Sequence, residues 1–185
     1  QGSVRRALRE LTERGPRLDA VALIDGDGQH DPAELPALAE LLRTHHAVIG
    51  ARSQREMPIH RRMSNGLVNA GYALIGGVDF VDVQSGLRLY RFSAAMVLAE
   101  QLPEVGRYGI EHESLAILAK DAQRHGRQLT IAAAEVSCRY GEAESSIRTK
   151  DLFPLAYQTL RYALRVRRAQ RPHRDNAPSD QREAA

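Results

Sequence analysis

Four short apolar runs, at residues 19–25, 46–51, 87–92 and 128–136, are separated by segments whose apolar residues recur at helical spacing. Runs of that length, rich in Val, Ile, Leu and Ala and bounded by polar or turn-forming residues, read as strands. A chain that alternates such strands with helices can bury both only as a layered α/β domain. The first helix is expected over residues 3–13, with Val4, Ala7, Leu8 and Leu11 on one face and Gly15 as its stop. Asp31, Pro32 and Glu34 occupy N-cap, first-turn and N3 positions of a second helix running to about residue 44, with Leu35, Leu38, Leu41 and Leu42 facing inward. Further helices are expected over 61–75, 93–101, 110–125 (closed by Gly126) and 151–168.

The 185 residues suit one domain with its own core or part of a larger one. Membrane spans need about 18 continuous apolar residues, and the best candidate, 70–81, is interrupted by three glycines and Asp79. Cys138 is the only cysteine, which excludes an internal disulfide framework and a cysteine-based zinc cluster and points to a reducing, cytoplasmic setting. The net charge of +3 is modest, yet Arg161, Arg165, Arg167, Arg168, Arg171 and Arg174 crowd together. That asymmetry suggests an anionic surface as partner for this stretch and gives no support to nucleic acid as the partner of the whole chain. Residues 169–185 are polar and proline-containing and read as a disordered tail.

The most informative short segment is Ile24-Asp25-Gly26-Asp27-Gly28-Gln29-His30-Asp31-Pro32, directly after the first apolar run. Carboxylates two residues apart on a turn leaving a strand can reach one hard cation, and flanking glycines let a phosphate approach the backbone. A magnesium or manganese ion held by one or two carboxylates, and completed by water and substrate phosphate, is the arrangement this chemistry favours. An EF-hand loop counted from Asp25 would need glycine at its sixth position and glutamate at its twelfth, where His30 and Pro36 stand. A phosphatase-type nucleophilic aspartate would want a hydroxyl residue where Gln29 sits. A turn that only caps the next helix accounts for Asp31 and leaves Asp25 and Asp27 without a role.

Downstream lie Arg52 and then Arg61-Arg62-Met63-Ser64-Asn65, with Asn69 one turn further along the same helix face. Paired guanidinium groups beside hydroxyl and amide donors suit a phosphate, and a solvated basic helix start fits the spacing equally well. A polar loop, Asp82-Val83-Gln84-Ser85-Gly86, feeds the third apolar run, and Glu111-His112-Glu113 opens a helix. Two carboxylates two residues apart on a helix point to different faces, so one of them at most lines a given site.

Taken in order and spacing, IDGDGQHDP, VIGAR, RRMSN, DVQSGLRLYR and IEHESL resemble the family-2 glycosyltransferases, in particular the dolichyl- or polyprenyl-phosphate sugar transferases (dolichol-phosphate mannose synthase-like). The resemblance covers residues 1–150 and implies a catalytic domain of the GT-A type, a nucleotide-sugar-binding sheet flanked by helices. It implies that Asp25, Asp27 and Gln29 hold Mg2+ or Mn2+ against the donor diphosphate. Gln84, Ser85 and Arg88 would shape the donor pocket together with Asp82, and Arg52, Arg61, Arg62 and Ser64 would grip the phosphate of a polyprenyl or dolichyl phosphate acceptor. Asp27, Asp82 and Glu113 would be the catalytic carboxylates, with Glu111 as the alternative to Glu113. The implied reaction is inverting transfer of a hexose from a GDP-mannose or UDP-glucose type of donor.

The family's opening strands, with a Tyr-Asn-Glu-like segment, are not matched. Gly2, Ser3 and Arg6 align with the helix that follows them, so the resemblance implies an N-terminally truncated domain with an open sheet edge. Residues 151–168 form an amphipathic basic stretch that suits an interfacial helix at the inner face of a membrane, and equally a helix packed on the sheet with its arginines in water. Two other functions share this sequence: transfer to a saccharide acceptor in polysaccharide synthesis, and a non-catalytic remnant that binds without turnover.

Overall fold

The computed structural model describes residues 2–13, 18–76, 80–103, 109–140 and 152–170. The elements follow the sequence periodicities closely. They are α1 (Gly2–Glu13), β1 (Ala20–Leu23), α2 (Leu35–Leu41), β2 (Ala47–Arg52), α3 (Ile59–Gly71), β3 (Arg88–Arg91), α4 (Phe92–Gln101), α5 (Ile110–Arg124), β4 (Ile131–Val136) and α6 (Leu152–Gln170). A 3-10 turn, Pro32–Glu34, precedes α2, and a π-helical turn, Tyr72–Gly76, extends α3. Ala169 and Gln170 continue the last helix; the expected tail beyond them, and residues 141–150, lie outside the described residues.

The sheet is open, with four strands in the order β1-β3-β2-β4. β3 lies antiparallel to both β1 and β2, whereas β2 and β4 are parallel. Strand alternation sorts the side chains into two layers. Val21, Ala47 and Tyr90 pack with Leu8, Ala94, Ala95 and Leu98 under α1, α4 and α5. Val48 and Leu89, one residue away, face Leu38 and Leu42 of α2 on the opposite side. Fully burying a side chain of this size contributes about 1.5–3 kcal/mol, so β2, buried from Ala47 to Ala51, anchors the sheet. A third cluster joins Ile49, Val68, Tyr72 and Leu115 to Tyr162, Ala163 and Val166 of α6.

Local signals are realised with small changes. Asp31 caps as its type and position demand, Oδ1 accepting from the Ala33 backbone N–H at 2.9 Å. Glu34 does not complete a capping box. Its Oε1 accepts instead from the backbone N–H and the hydroxyl of Ser137, both at 3.0 Å, tying the exit of β4 to the start of α2. Gly126 adopts φ 61 past the end of α5, and the Arg127 N–H returns to the Ala122 carbonyl at 2.8 Å, closing the helix. Among the described residues no helix is long and apolar enough to cross a membrane.

Candidate functional site

The acidic turn leaves β1 into solvent, with Asp25 and Asp27 both exposed. Gly28 has φ 75, a conformation that a side chain would strain. Asp27 closes the turn on itself, its Oδ1 accepting from the Gln29 N–H at 3.0 Å. Asp25 reaches across to the loop before β3. A Cβ placed on Gly86 would lie 1.9 Å from Asp25 Oδ2, so only glycine leaves room for that carboxylate. This contact brings the 25–29 turn and the 82–87 loop together.

That loop is held down by its own polar groups. Ser85, fully buried, donates to the Gly50 carbonyl at 2.5 Å and accepts from the Leu87 N–H at 3.2 Å. The Arg88 guanidinium donates to the carbonyls of Ser85 (3.1 Å), Glu111 (3.0 Å) and Val83. Both residues therefore build the loop, and Arg88 also links it to the start of α5. Gln84 is half-buried on the same loop.

Asp82 is completely buried and takes φ 50, a left-handed conformation that aspartate tolerates better than most side chains. It accepts three hydrogen bonds from one residue: from the Arg52 backbone N–H at 2.8 Å, from Nε at 2.8 Å and from Nη2 at 2.7 Å. Burial works against the Arg52 charge, but the bonds to Asp82 and its charge outweigh that and lift the guanidinium pKa above its ordinary value. Arg52 and Asp82, read from sequence as an acceptor ligand and a catalytic carboxylate, are thus joined in one forked ion pair at the end of β2.

His30 sits nearby, buried, with no hydrogen-bond partner for Nδ1 among the described residues. Burial and then the Arg52 charge push its pKa down, while the carboxylates of Asp25, Asp27 and Asp82 pull it up. On the α5 side, the residue that feels Asp25 is Glu111. Its Oε2 is buried with no partner among the described residues, and burial raises its carboxyl pKa, with the Arg88 charge opposing and Asp25 adding to the rise. Glu113, read as catalytic, points the other way: both its oxygens lie 2.8 Å from Arg165 Nη1 of α6. Two residues along a helix turn the side chain to a different face, and α6 takes up the one that faces it.

The basic start of α3 closes the site from another direction. Arg61 Nη1 donates to Gln29 Oε1 at 3.4 Å, and its guanidinium lies over the Tyr140 ring, 5.6 Å from the centroid. Gln29 in turn accepts at its carbonyl from the Arg139 N–H (2.9 Å) and at Oε1 from the Cys138 thiol (3.8 Å). Arg62 is exposed and donates to the Met57 carbonyl at 3.2 Å, and Ser64 donates back to the Arg61 carbonyl at 3.0 Å.

The fold therefore gathers Asp25, Asp27, Gln29, Arg52, Arg61 and Asp82, while Glu113 faces α6 and Arg62 faces solvent. Sequence reasoning missed two residues of this region. Gly86 had no spacing signal that set it apart, and His30 reads as an ordinary structural histidine, whereas Glu111 stood as the alternative to Glu113. Asn65 was read only as an amide donor beside the arginines of the RRMSN segment. It is 1% exposed, and among the described residues neither its amide nitrogen nor its oxygen has a hydrogen-bond partner. A buried polar group without a partner costs about 1–3 kcal/mol.

Among the described residues no group of three or more His, Cys, Asp or Glu side chains is arranged to hold a metal ion. Two exposed carboxylates on a glycine-flanked turn nevertheless suit a hard cation that keeps water and takes phosphate oxygens as its other ligands. They do not suit an all-protein cage.

No family model matches the chain. An uncharacterized protein of Methanocaldococcus jannaschii is 31% identical over 154 residues, covering 77% of this chain and 62% of that protein. The UDP-N-acetylglucosamine--dolichyl-phosphate N-acetylglucosaminyltransferase of Methanococcus voltae is 32% identical over 110 residues, covering 56% of this chain and 43% of the enzyme. The undecaprenyl-phosphate mannosyltransferase of Micrococcus luteus is 30% identical over 104 residues, covering 54% and 42%. The chain is thus similar in sequence to enzymes named for placing a sugar on a polyprenyl phosphate, and it spans 42% to 62% of the length of these curated relatives.

Proposed function

We propose that this chain is the catalytic part of a metal-dependent glycosyltransferase that moves a hexose, with inversion, from a nucleotide sugar to a polyprenyl phosphate. The observation that carries the reading is the meeting of the acidic turn with the basic start of α3, bridged by Gln29 and Arg61 at 3.4 Å. Groups suited to a metal-bound diphosphate and groups suited to a second phosphate then lie within one side chain of each other. The names of two relatives, with their dolichyl- and undecaprenyl-phosphate acceptors, support the same acceptor class. An open sheet with helices on both faces is compatible with the GT-A type of domain.

In this reading Asp25 and Asp27 hold Mg2+ or Mn2+, with Gln29 joining them if its amide oxygen leaves Arg61. The cation supplies charge neutralisation for the departing diphosphate. Arg61 orients the acceptor phosphate, and the amide of Asn65 provides a further polar contact. The second pKa of such a phosphate is about 6, so near neutral pH an ionised oxygen is available without a general base. That oxygen bonds to the anomeric carbon as the bond from that carbon to the nucleoside diphosphate breaks, the electron pair leaving with the diphosphate. Positioning and electrostatics are the protein's contribution. Asp82 and Arg52 keep the donor loop in place, and the Arg52 charge adds to the field at the phosphates.

The test is transfer assayed with the full reading frame, Mn2+ or Mg2+, a panel of GDP- and UDP-sugars and a short polyprenyl phosphate, with Asp27→Ala in parallel. Metal-dependent transfer that is lost in Asp27→Ala supports the proposal and identifies the donor. Transfer only to saccharide acceptors would replace the acceptor class. No turnover of any donor, with both proteins alike, would leave a binding protein without catalysis.

A further inference from the structure

Asn69 of α3 is turned toward the 82–87 loop, where its Oδ1 accepts from the Val83 backbone N–H at 3.1 Å. That N–H belongs to the peptide following Asp82, the residue held at φ 50. The carbonyl of the same peptide accepts from the Ser85 N–H at 3.0 Å. One peptide further on, the Val83 carbonyl takes the Arg88 guanidinium. The backbone groups around Val83 thus find their partners on α3, on the loop itself and on β3. Buried backbone groups need such partners, because leaving one unmet costs more than a typical hydrogen bond contributes. Val83 is fully buried, in the cluster that also holds Val68 of α3 and Tyr72 just beyond it.

The same end of α3 is anchored a second time. The Tyr72 hydroxyl lies 2.9 Å from His112 Nδ1 of α5, and the two rings stack. Arg61 stands eight residues before Asn69, about 12 Å along the helix axis. A helix carries position faithfully over that length, because each turn is bonded to the next. So α3 is fastened at residues 69–72, while its first turn delivers Arg61 to Gln29 of the acidic turn. The other fastenings of the loop lie on β2, through Arg52 to Asp82 and through Ser85 to the Gly50 carbonyl. Those bonds set the loop against the sheet, and Asn69 sets it against the helix that carries Arg61.

We propose that Asn69 is a positioning residue of the transfer reaction: it registers the donor loop against α3, and so fixes where the donor lies relative to Arg61. This role rests on the functional reading given above. Asn69 acts through the Val83 amide and does not itself contact donor or acceptor. Its working atom is the acceptor oxygen, which aspartate keeps and which alanine and leucine lack. The attacking oxygen and the anomeric carbon must meet within a narrow range of distance and angle, and a misplacement of about 1 Å can cost about 100-fold in rate.

The experiment compares Asn69→Ala, Asn69→Leu and Asn69→Asp with the parent in the full reading frame. Alanine favours the helix and leucine keeps the volume, so one of the two remains informative if the other does not fold. Hydrogen exchange of the Val83 amide, followed by NMR without donor or acceptor, reads the contact independently of transfer. Exchange is expected to be slow in the parent and in Asn69→Asp, and about 10-fold faster or more in Asn69→Ala and Asn69→Leu, with circular dichroism unchanged. Steady-state rates with a nucleotide sugar and a short polyprenyl phosphate give the second readout. Loss of the oxygen is expected to lower kcat by about 10-fold or more, with the KM of each substrate within about twofold of the parent. Asn69→Asp is expected to restore most of the lost kcat. A residue that served stability alone would lower the unfolding midpoint and leave the kcat of the folded enzyme at the parent value. That result, a rise in KM alone, or no restoration by aspartate would each overturn the assignment. Equal Val83 exchange in the parent and Asn69→Ala would remove the contact on which it stands. A parent that transfers to no acceptor, with Val83 still protected through Asn69, would overturn the functional reading and with it the role in transfer, while leaving the contact established.

Discussion

Changing Asp82 to asparagine keeps the volume and the tolerance for a left-handed backbone, so its effect reports the charge alone. In the native protein that charge has no solvent exposure and accepts three hydrogen bonds from Arg52, whose side chain is 13% exposed. Asparagine can still accept from the Arg52 backbone N–H, but its amide group turns a donor toward one arm of the guanidinium fork. Removing one member of a buried pair costs about 3–5 kcal/mol, because the remaining charge stays in the interior. Arg52 can relax part of the way toward water, which favours the lower end, about 3 kcal/mol. Arg52→Met should cost more, about 4 kcal/mol, since Asp82 then keeps only the backbone donor and has no route to solvent. The double variant should be less destabilised than the sum of the two by about 2 kcal/mol, the coupling of a contacting pair. Urea unfolding followed by circular dichroism measures all three, and 3 kcal/mol moves the midpoint by about 1–3 M. A cost below about 1 kcal/mol for Asp82→Asn, or strict additivity in the double variant, would show that this pair does not hold the 82–87 loop to β2.

Gly86→Ala should leave overall stability close to native, because Asp25 lies on an exposed turn and can swing away, yet it should displace the carboxylate now 1.9 Å from the added carbon. Mn2+ affinity followed by calorimetry is expected to fall about 10-fold or more; unchanged affinity would remove Asp25 from the metal site. His112, stacked between Tyr72 and Tyr162, is pushed down to about 4 by burial and then by the Arg88 charge. Between that value and the ordinary 6.5 the unfolded chain binds the extra proton, so stability rises with pH across this window, by about 3 kcal/mol in all. His30 and His46, also lowered by burial, add in the same direction, and Glu111, raised by burial, opposes them just above its ordinary value. His112→Gln should flatten the stability profile between pH 4 and 6.5; an unchanged slope would assign the acid sensitivity to the other groups.

The sequence by itself determined where the elements lie, because helix and strand periodicities are written within a few neighbouring residues. Every strand expected from an apolar run is present, Asp31 caps the helix it precedes, and Gly126 ends α5. The acidic turn and the basic helix start were also legible as chemistry, since residue type and short spacing were enough to make them candidates. Tertiary structure alone decided what those groups touch. Nothing local places β3 antiparallel between β1 and β2, and that placement sets the 82–87 loop beside the turn after β1. The Arg52–Asp82 fork joins residues 30 apart in the chain, and the seat of Asp25 on Gly86 depends on the absence of a side chain far along the sequence. The helix geometry of residues 111–113 separates the two carboxylates, but only the tertiary packing decides that Glu113 meets Arg165 of α6 while Glu111 feels the charge of Asp25. Long-range pairings of this kind follow from how buried faces fit together, and burial is a property of the whole fold, beyond any window of the chain.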